Sequence, residues 1–459
     1  MSEPMNTEIS RRSMLRSLGL VGLAACGAGT LGGLVDHGLA AAQPTTTELD
    51  TSTLRRLERA TFGVTPALLD EVARMGFPAW VDAQLSAPNS IETPAGIAAA
   101  RGADPSERLA LRPQIANGVA ARFVVNAAFA PDQIRQRLVD VFADLLHVSS
   151  GQAPAVLALG DYDLLLRRHA LGRYSDLLVA TAKSAAMLLY LDNASSRADG
   201  DNVPNENYAR ELLELHTVGV DAGYDEADVV EVAHVLSGWT LDPRTGSFRF
   251  VSRRHDLGPV AQGGDVLGWQ PTTTGVGAGE SLLEHLARHP ATGRRVAHLL
   301  ARRFVGESVT ADDPLVDEAT ALYMANDTAI APVVGHLLTS DRFDSTATLM
   351  ARRPTDLVAT VLRRGDARID PAMAGDTTTA LTGLLRVMGH LPYEWPSPDG
   401  APTASAAWTN AGAMITRWNA LTTFAGATTR GLDLSWDGFG VTTAADAVEV
   451  MAGPDIQLV

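Results

Sequence analysis

The sequence predicts a mainly α-helical protein, a large multi-helix body of two packed helical lobes with one small β-hairpin. Three observations predict it. From about Thr51 onward, apolar residues recur at helical spacing, and alanine, leucine and arginine dominate the stretches between glycine and proline breaks. Only the segment Thr240 to Val251 abandons that period for alternation. With 46% hydrophobic and 20% charged residues, the composition is that of a globular chain.

The first 42 residues read as an export address rather than as part of the fold. Arg11 and Arg12, within Ser10 to Leu15, precede a weakly apolar, glycine-rich stretch from Leu18 to Val35. A paired arginine ahead of such a stretch is the signal of the twin-arginine translocase, which carries folded cargo across the bacterial cytoplasmic membrane. Two exits compete. Ala40, Ala41 and Ala42 before Gln43 form an ordinary cleavage site, whereas Cys26 followed by Gly27 resembles a lipobox that would be cut and acylated. Cys26 is the single cysteine, so neither outcome leaves a thiol for catalysis or a disulfide. Membrane contact is therefore expected only through the export signal or a lipid anchor. The formal net charge of −16 argues against nucleic acid as a partner and suits an extracytoplasmic protein.

Residues 43–261 are expected to form an N-terminal lobe and 281–459 a C-terminal lobe, joined by a Gly/Thr-rich loop over 262–280. Ser175 is a good N-cap, and the run from Leu177 to Leu191 is apolar on nearly every side, so one buried central helix is expected there. In the alternating segment, Phe248 and Phe250 flank Arg249, and Pro243 to Gly246 supply a turn, which together predict a hairpin. Pro392 to Pro402 form a proline-rich turn before the last helix.

Several strings carry a resemblance. LLLRRHALGRYSDLLVATAKSAAMLLYLDNASS, PNENYARELLELHTVG and VLSGWT lie at its centre; LRRLERATFG, RRHDLGP, HPATGRRVAHLLARRFV, ARRPTDLV and MGHLPYEWPSPDG follow in order around them. Together they resemble the bacterial family known as domain of unknown function 1800 over most of residues 51–425. The resemblance implies a helical, exported protein and assigns no activity. Members carry a W-x-N-H-F-like string where this chain reads FADLLH, Phe142 to His147. Asp144 keeps a polar group near the asparagine position, but Leu145 stands where the histidine would be, and His147 falls on a different helix face. A catalytic role for that histidine in relatives would make this chain a diverged or inactive member.

The string PNENYARELLELHTVG carries the chief candidates. At helical spacing, Tyr208, Leu212 and Leu215 form an apolar stripe, and Asn207, Glu211 and Glu214 share its flank. A carboxylate beside an apolar stripe is partly desolvated, and a second one nearby raises its pKa further, which is how glutamate becomes a general acid or base. The same pair suits a divalent metal, or a purely structural network with Arg167, Arg168 or another arginine. Glu206 and Arg210 look like an exposed ion pair. Asp192, at the negative end of the buried helix, needs a cation or a donor and is a further candidate. His255 and Asp256, which follow the hairpin, could ligate a metal or shuttle a proton. His169, His216, His289 and His390 are expected to be core or capping residues.

Walker-type loops, dinucleotide fingerprints, C-x-x-C, H-E-x-x-H and G-x-S-x-G strings are all missing, which disfavours nucleotide transfer, thiol redox chemistry and the common serine and zinc hydrolases. The expectation is an exported, carboxylate-type hydrolase, compatible with metal assistance, acting on a polysaccharide or other envelope polymer. In it, Glu211 or Glu214 would be acid or base, Asn207 would orient substrate, and Asp192, His255 and Asp256 would complete a metal or second acid site. The alternative is a non-catalytic binding or assembly protein of the cell surface.

Overall fold

The computed structural model describes residues 49–90, 110–348, 350–425 and 431–436, so the twin-arginine segment, Cys26 and the Ala42 cleavage site lie outside it. The described chain is mainly helical, with 18 helices and two small antiparallel sheets of two strands each. Helices α1 (Thr51–Ala60), α2 (Pro66–Met75) and α3 (Phe77–Ser86) open it, and α4 (Arg112–Phe129), α5 (Gln133–Leu145) and α6 (Leu159–His169) follow. Next come α7 (Tyr174–Ala182), α8 (Ala185–Tyr190), α9 (Asn207–Glu211) and α10 (Glu226–Val235), then the hairpin of β1 (Trp239–Leu241) and β2 (Phe248–Phe250). Beyond it lie α11 (Val276–Arg288), α12 (Pro290–Phe304), α13 (Pro314–Ala325), α14 (Ile330–Thr339) and the short α15 (Phe343–Thr346). The chain closes with α16 (Pro354–Arg364), β3 (Arg368–Ile369), α17 (Ala374–Val387), α18 (Ala411–Ala425) and β4 (Leu432–Asp433).

Local chemistry sets many of these boundaries. Asp50, Thr65 and Asp313 accept backbone N–H groups at the starts of α1, α2 and α13, and Asp225 with Asp228 forms a capping box on α10. His289 accepts the Ala291 N–H, and Pro290 occupies the first turn of α12, where its missing N–H costs nothing. The expected hairpin forms in the register Trp239 to Phe250, Thr240 to Arg249 and Leu241 to Phe248.

The expected single helix over 177–191 is divided. The Ser184 hydroxyl donates to Thr181 O at 2.7 Å and accepts the Met187 N–H at 3.2 Å, so a serine that competes for backbone partners ends α7 and caps α8. Nor does Ser175 cap α7. Tyr174 already donates its N–H to Thr328 O at 2.9 Å, and this contact with the turn before α14 fixes the helix start two residues earlier, with Arg173 at the cap position.

Two buried clusters make up the core, and their division does not follow the loop at 262–280. The larger includes Leu57, Phe142, Tyr174, Leu212 and Trp239 together with Leu282, Leu300 and Leu337 from beyond the loop. The smaller joins α4 to α16, α17 and α18 through Val124, Ala128, Leu357, Val361, Leu385 and Leu421. No described helix is long and apolar enough to cross a membrane.

Candidate functional site

Charge enters this core in an organised way. On α5, Asp140 and Asp144 lie one turn apart and face α16, whose N-terminal residues carry Arg353 and Asp356. Arg353 bridges Asp140 and Asp144, while Arg303 on α12 donates to Asp140 at 2.6 Å and to Asp356 at 3.0 Å. Arg137 completes the set with a 2.8 Å bond to Asp356, its guanidinium lying 3.8 Å over the Phe62 ring. Three carboxylates thus meet three guanidiniums, all nearly withdrawn from water.

The members are not equivalent. Burial works against the charge of Asp356, but Arg303 and Arg137 outweigh it and hold the carboxyl far below the usual range. Burial also works against Asp144, where Arg353 does not fully offset it and the neighbouring Asp140 adds repulsion, so that carboxyl is pushed up. Arg353 is raised despite its burial, because Asp140 and Asp144 both press on it.

Against this cluster lies a cavity of about 360 Å³, walled by Asp144, Arg295, Arg302, Glu307, Trp395 and Asp399 among others. One wall is the proline-rich turn. Gly400 has φ +74°, and a Cβ there would stand 2.5 Å from Asp144 O, so only glycine permits this approach. The next residue, Ala401, donates its N–H to the Asp144 carboxylate at 3.2 Å. His147 is buried, with Nδ1 3.2 Å from Ala143 O and Nε2 2.9 Å from Trp395 O, so the ring stands between α5 and the same turn. Leu145 lines the cavity at the place where the resemblance had pointed to a histidine.

The motif of Asn207 to His216 reaches the same region. Arg295, a cavity wall, donates to Glu214 O at 2.7 Å and to Thr217 O at 3.4 Å. The regular α-helix expected across the motif ends at Glu211, and Leu212–His216 form a π-helical turn, a device frequent at functional sites. The Thr217 hydroxyl donates to Leu212 O five residues back. Glu211 is half-buried, and its carboxyl is raised by that burial and by the charges of Glu214 and Asp399. Burial, then Glu211 and Asp399, push the neighbouring Tyr190 phenol up to about 12. Asp399 therefore faces both the cavity and Glu211.

The arginine that meets this pair is neither Arg167 nor Arg168 but another, Arg210. Arg167 binds Asp163 at 3.0 Å, and the cation near Glu214 is Arg210, 3.8 Å away on the same helix and also paired with Glu206 at 3.4 Å and with Glu226.

The other candidates stand elsewhere. Asn207 is exposed, its N–H bonded to Asn205 Oδ1 at 2.9 Å. Asp192 is exposed at φ +61°, the left-handed conformation that aspartate tolerates, and its carbonyl caps a short turn through Ser195. His255 and Asp256 form a separate polar group with Ser237 and His234. His255 Nδ1 lies 3.1 Å from Ser237 O, and burial lowers the ring pKa. Around Glu211 and Glu214 stand Arg210, Arg295, Asp399, Tyr190 and Tyr224, whereas His255 is met by Ser237, Phe250, Asp256 and His234. Among the described residues, no three His, Cys, Asp or Glu side chains gather as a metal site.

Sequence reasoning passed over Asp140, Arg295, Arg302, Arg303, Arg353, Asp356 and Asp399. A signal existed in the arginine doublets of ARRFV and ARRPTDLV, since paired arginines on apolar helices require carboxylates, and Asp140 and Asp144 stand one turn apart to supply them.

A mainly helical body built around a buried aspartate–arginine cluster, with an arginine-walled cavity beside it, is the class of protein these features define. The chain belongs to the family described as protein of unknown function DUF1800, whose model matches residues 55–455. Comparison with curated proteins and with solved structures gives no match.

Proposed function

We propose that the protein is an exported, carboxylate-type hydrolase acting on an envelope or extracellular polymer such as polysaccharide, with Glu211 as the proton donor. The observation that carries this reading is the placement of Glu211. It is half-buried near Glu214 and Asp399, an environment that raises its carboxyl pKa, and Asp399 in turn lines the cavity. Glu211 would protonate a leaving oxygen, Asp399 would be the second carboxyl group of the site, and Arg295 and Arg302 would orient a polyhydroxylated or acidic substrate against Trp395. A volume of about 360 Å³ suits one or two sugar units, at the low end of the ~300–1,000 Å³ typical of ligand sites.

The test is a screen of polysaccharide substrates with the protein and its Glu211→Gln variant. An activity that falls by at least ~100-fold in the variant, with its alkaline limb lost from the pH profile, supports the assignment. An activity that Glu211→Gln leaves intact overturns it.

Export by the twin-arginine route is part of the same proposal, supported by Arg11, Arg12 and the apolar stretch behind them. Replacing both arginines with lysine is expected to strand precursor in the cytoplasm. Undiminished export of that variant argues against the route.

A second reading, a surface binding or assembly protein without catalysis, is favoured by Leu145 at the family's histidine position and by the engagement of Asp140 and Asp144 in ion pairs. In that case ligand binding persists in Glu211→Gln.

A further inference from the structure

Away from that site, a groove of about 1,020 Å³ runs between α4, the Pro154–Asp161 segment, the tip of the β1–β2 hairpin and α17. Its walls are mainly apolar, with Ile115, Val119, Leu189, Leu241, Ile369 and Leu381 along its length. One charge is built into it. Arg122, on α4, lines the groove with its side chain only 10% exposed. A single nitrogen of its guanidinium, Nη2, is engaged, by Gly160 O at 3.2 Å and Asp163 Oδ2 at 3.1 Å; Nε and Nη1 are buried without a hydrogen-bond partner.

Asp163 cannot neutralise Arg122, because it also takes a two-point contact from Arg167, at 3.0 and 3.1 Å, and the Tyr393 hydroxyl at 2.9 Å. One carboxylate between two arginines leaves one positive charge in excess. The other charged groups lining the groove, Asp161 and Arg244, are of opposite sign and both exposed to solvent. A buried guanidinium with two free N–H donors is costly unless an acceptor meets it. A carboxylate can take both donors as a forked pair.

We propose that this groove binds a single-chain anionic amphiphile, a long-chain acyl carboxylate, with its head on Arg122 and its chain along the apolar walls. The charge complementarity is specific: a neutral alcohol of equal length offers one uncharged oxygen in place of a forked anionic pair, and a cationic chain is repelled. The site shares no lining residue with the cavity beside Asp144 and does not depend on any hydrolytic activity.

Gly118 supplies the clean test, because it lines the groove and a Cβ placed there meets nothing within 4 Å. Gly118→Trp therefore fills the groove without disturbing the ion pairs. Calorimetric titration of the full chain with dodecanoate, dodecan-1-ol and dodecylammonium is expected to rank dodecanoate at least tenfold tighter than the other two. Arg122→Met should abolish that preference while retaining dodecanol binding, and Gly118→Trp should weaken dodecanoate at least tenfold with an unchanged melting temperature. Equal binding of dodecanoate and dodecanol overturns the proposal, as does dodecanoate binding that Gly118→Trp leaves intact. Association with phosphatidylglycerol vesicles without binding of monomeric dodecanoate also overturns it, by making the ligand a membrane surface.

Discussion

Within the buried cluster, Asp144 and Asp356 are neighbours of the same arginine but carry opposite electrostatic histories. Asp356 is held far below the usual carboxylate range by Arg303 and Arg137, against the opposition of burial, so its charge stabilises the fold. Asparagine there is expected to cost about 3–5 kcal/mol, the penalty for leaving buried guanidiniums uncompensated. Asp144 is raised by burial and by Asp140, so its charge is partly a burden at neutral pH, and Asp144→Asn should cost less than about 1 kcal/mol. Chemical denaturation of the two variants at pH 7 checks the contrast, which equal losses would erase. Arg353→Met should be the worst of the set, since it strips Asp140 and Asp144 together. Glu211 resembles Asp144 in sign. Glutamine at that position removes repulsion from Glu214 and Asp399, so the melting temperature should hold or rise, an outcome opposite to the loss expected of a paired carboxylate. The candidate pair Glu211 and Glu214 was legible in the sequence because an i, i+3 spacing is local. Asp399 and Arg295 were not, because nothing in the order of residues says that a proline-rich turn and a distant helix will meet that pair.

At the level of elements, the turn over Pro392 to Pro402 shows how a segment without regular structure is fixed. Its residue Tyr393 sits at φ +64°, with its carbonyl accepting the Ser150 N–H at 2.6 Å and its hydroxyl donating to Asp163 at 2.9 Å. Gly400 then allows the backbone against Asp144. Gly400→Ala is expected to destabilise by more than about 2 kcal/mol, because both the positive φ and the backbone contact resist a methyl group. Tryptophan fluorescence from Trp395 and Trp408 should report the release of the turn; an unshifted spectrum and unchanged stability would show that the turn does not depend on this approach. The same scale explains what the sequence conveyed of the fold. Helix periodicity, proline and aspartate starts and the alternating Phe248–Phe250 strand are local signals, and they match α1, α2, α12, α13 and the hairpin. The break between α7 and α8 was hidden because a continuous apolar run does not reveal a serine that bonds backwards. The partition of the core was hidden too: the Gly/Thr-rich loop looks like a boundary in sequence, yet helices α7 and α11 on its two sides pack together.

Taken whole, the molecule has an acidic formal charge of −16, and in the described interior one carboxylate serves two arginines at two places: Glu58 sits between Arg352 and Arg364, and Asp163 between Arg122 and Arg167. Its acid response follows from the buried groups. Burial, then Arg295, lowers His216 from 6.5 to about 3, and burial drives His390 well below its ordinary value, so the unfolded chain takes up these protons first. Their contribution is present above about pH 6.5 and is lost as the pH falls toward 3. Burial raises Glu58, but Arg364 and Arg352 overcome it and bring the carboxyl from 4.5 to about 2, adding a loss across that lower window. Thermal melts at pH 7, 5.5 and 4 should show a falling midpoint, and His216→Phe, which removes two buried nitrogens without partners, should flatten the fall. A midpoint that rises on acidification would contradict this assignment. The grip of Glu58 on Arg352 and Arg364 spans 294 and 306 residues, so the first helix closes onto one of the last. During synthesis, α1 therefore waits with an unanswered charge until four-fifths of the chain has left the ribosome. A nascent chain stopped at residue 350 should accordingly be digested by protease under conditions that the full chain survives. Completion of the fold can thus act as a clock: the protection of α1 is timed by residues near the far end of the polypeptide, long after α1 itself has been made.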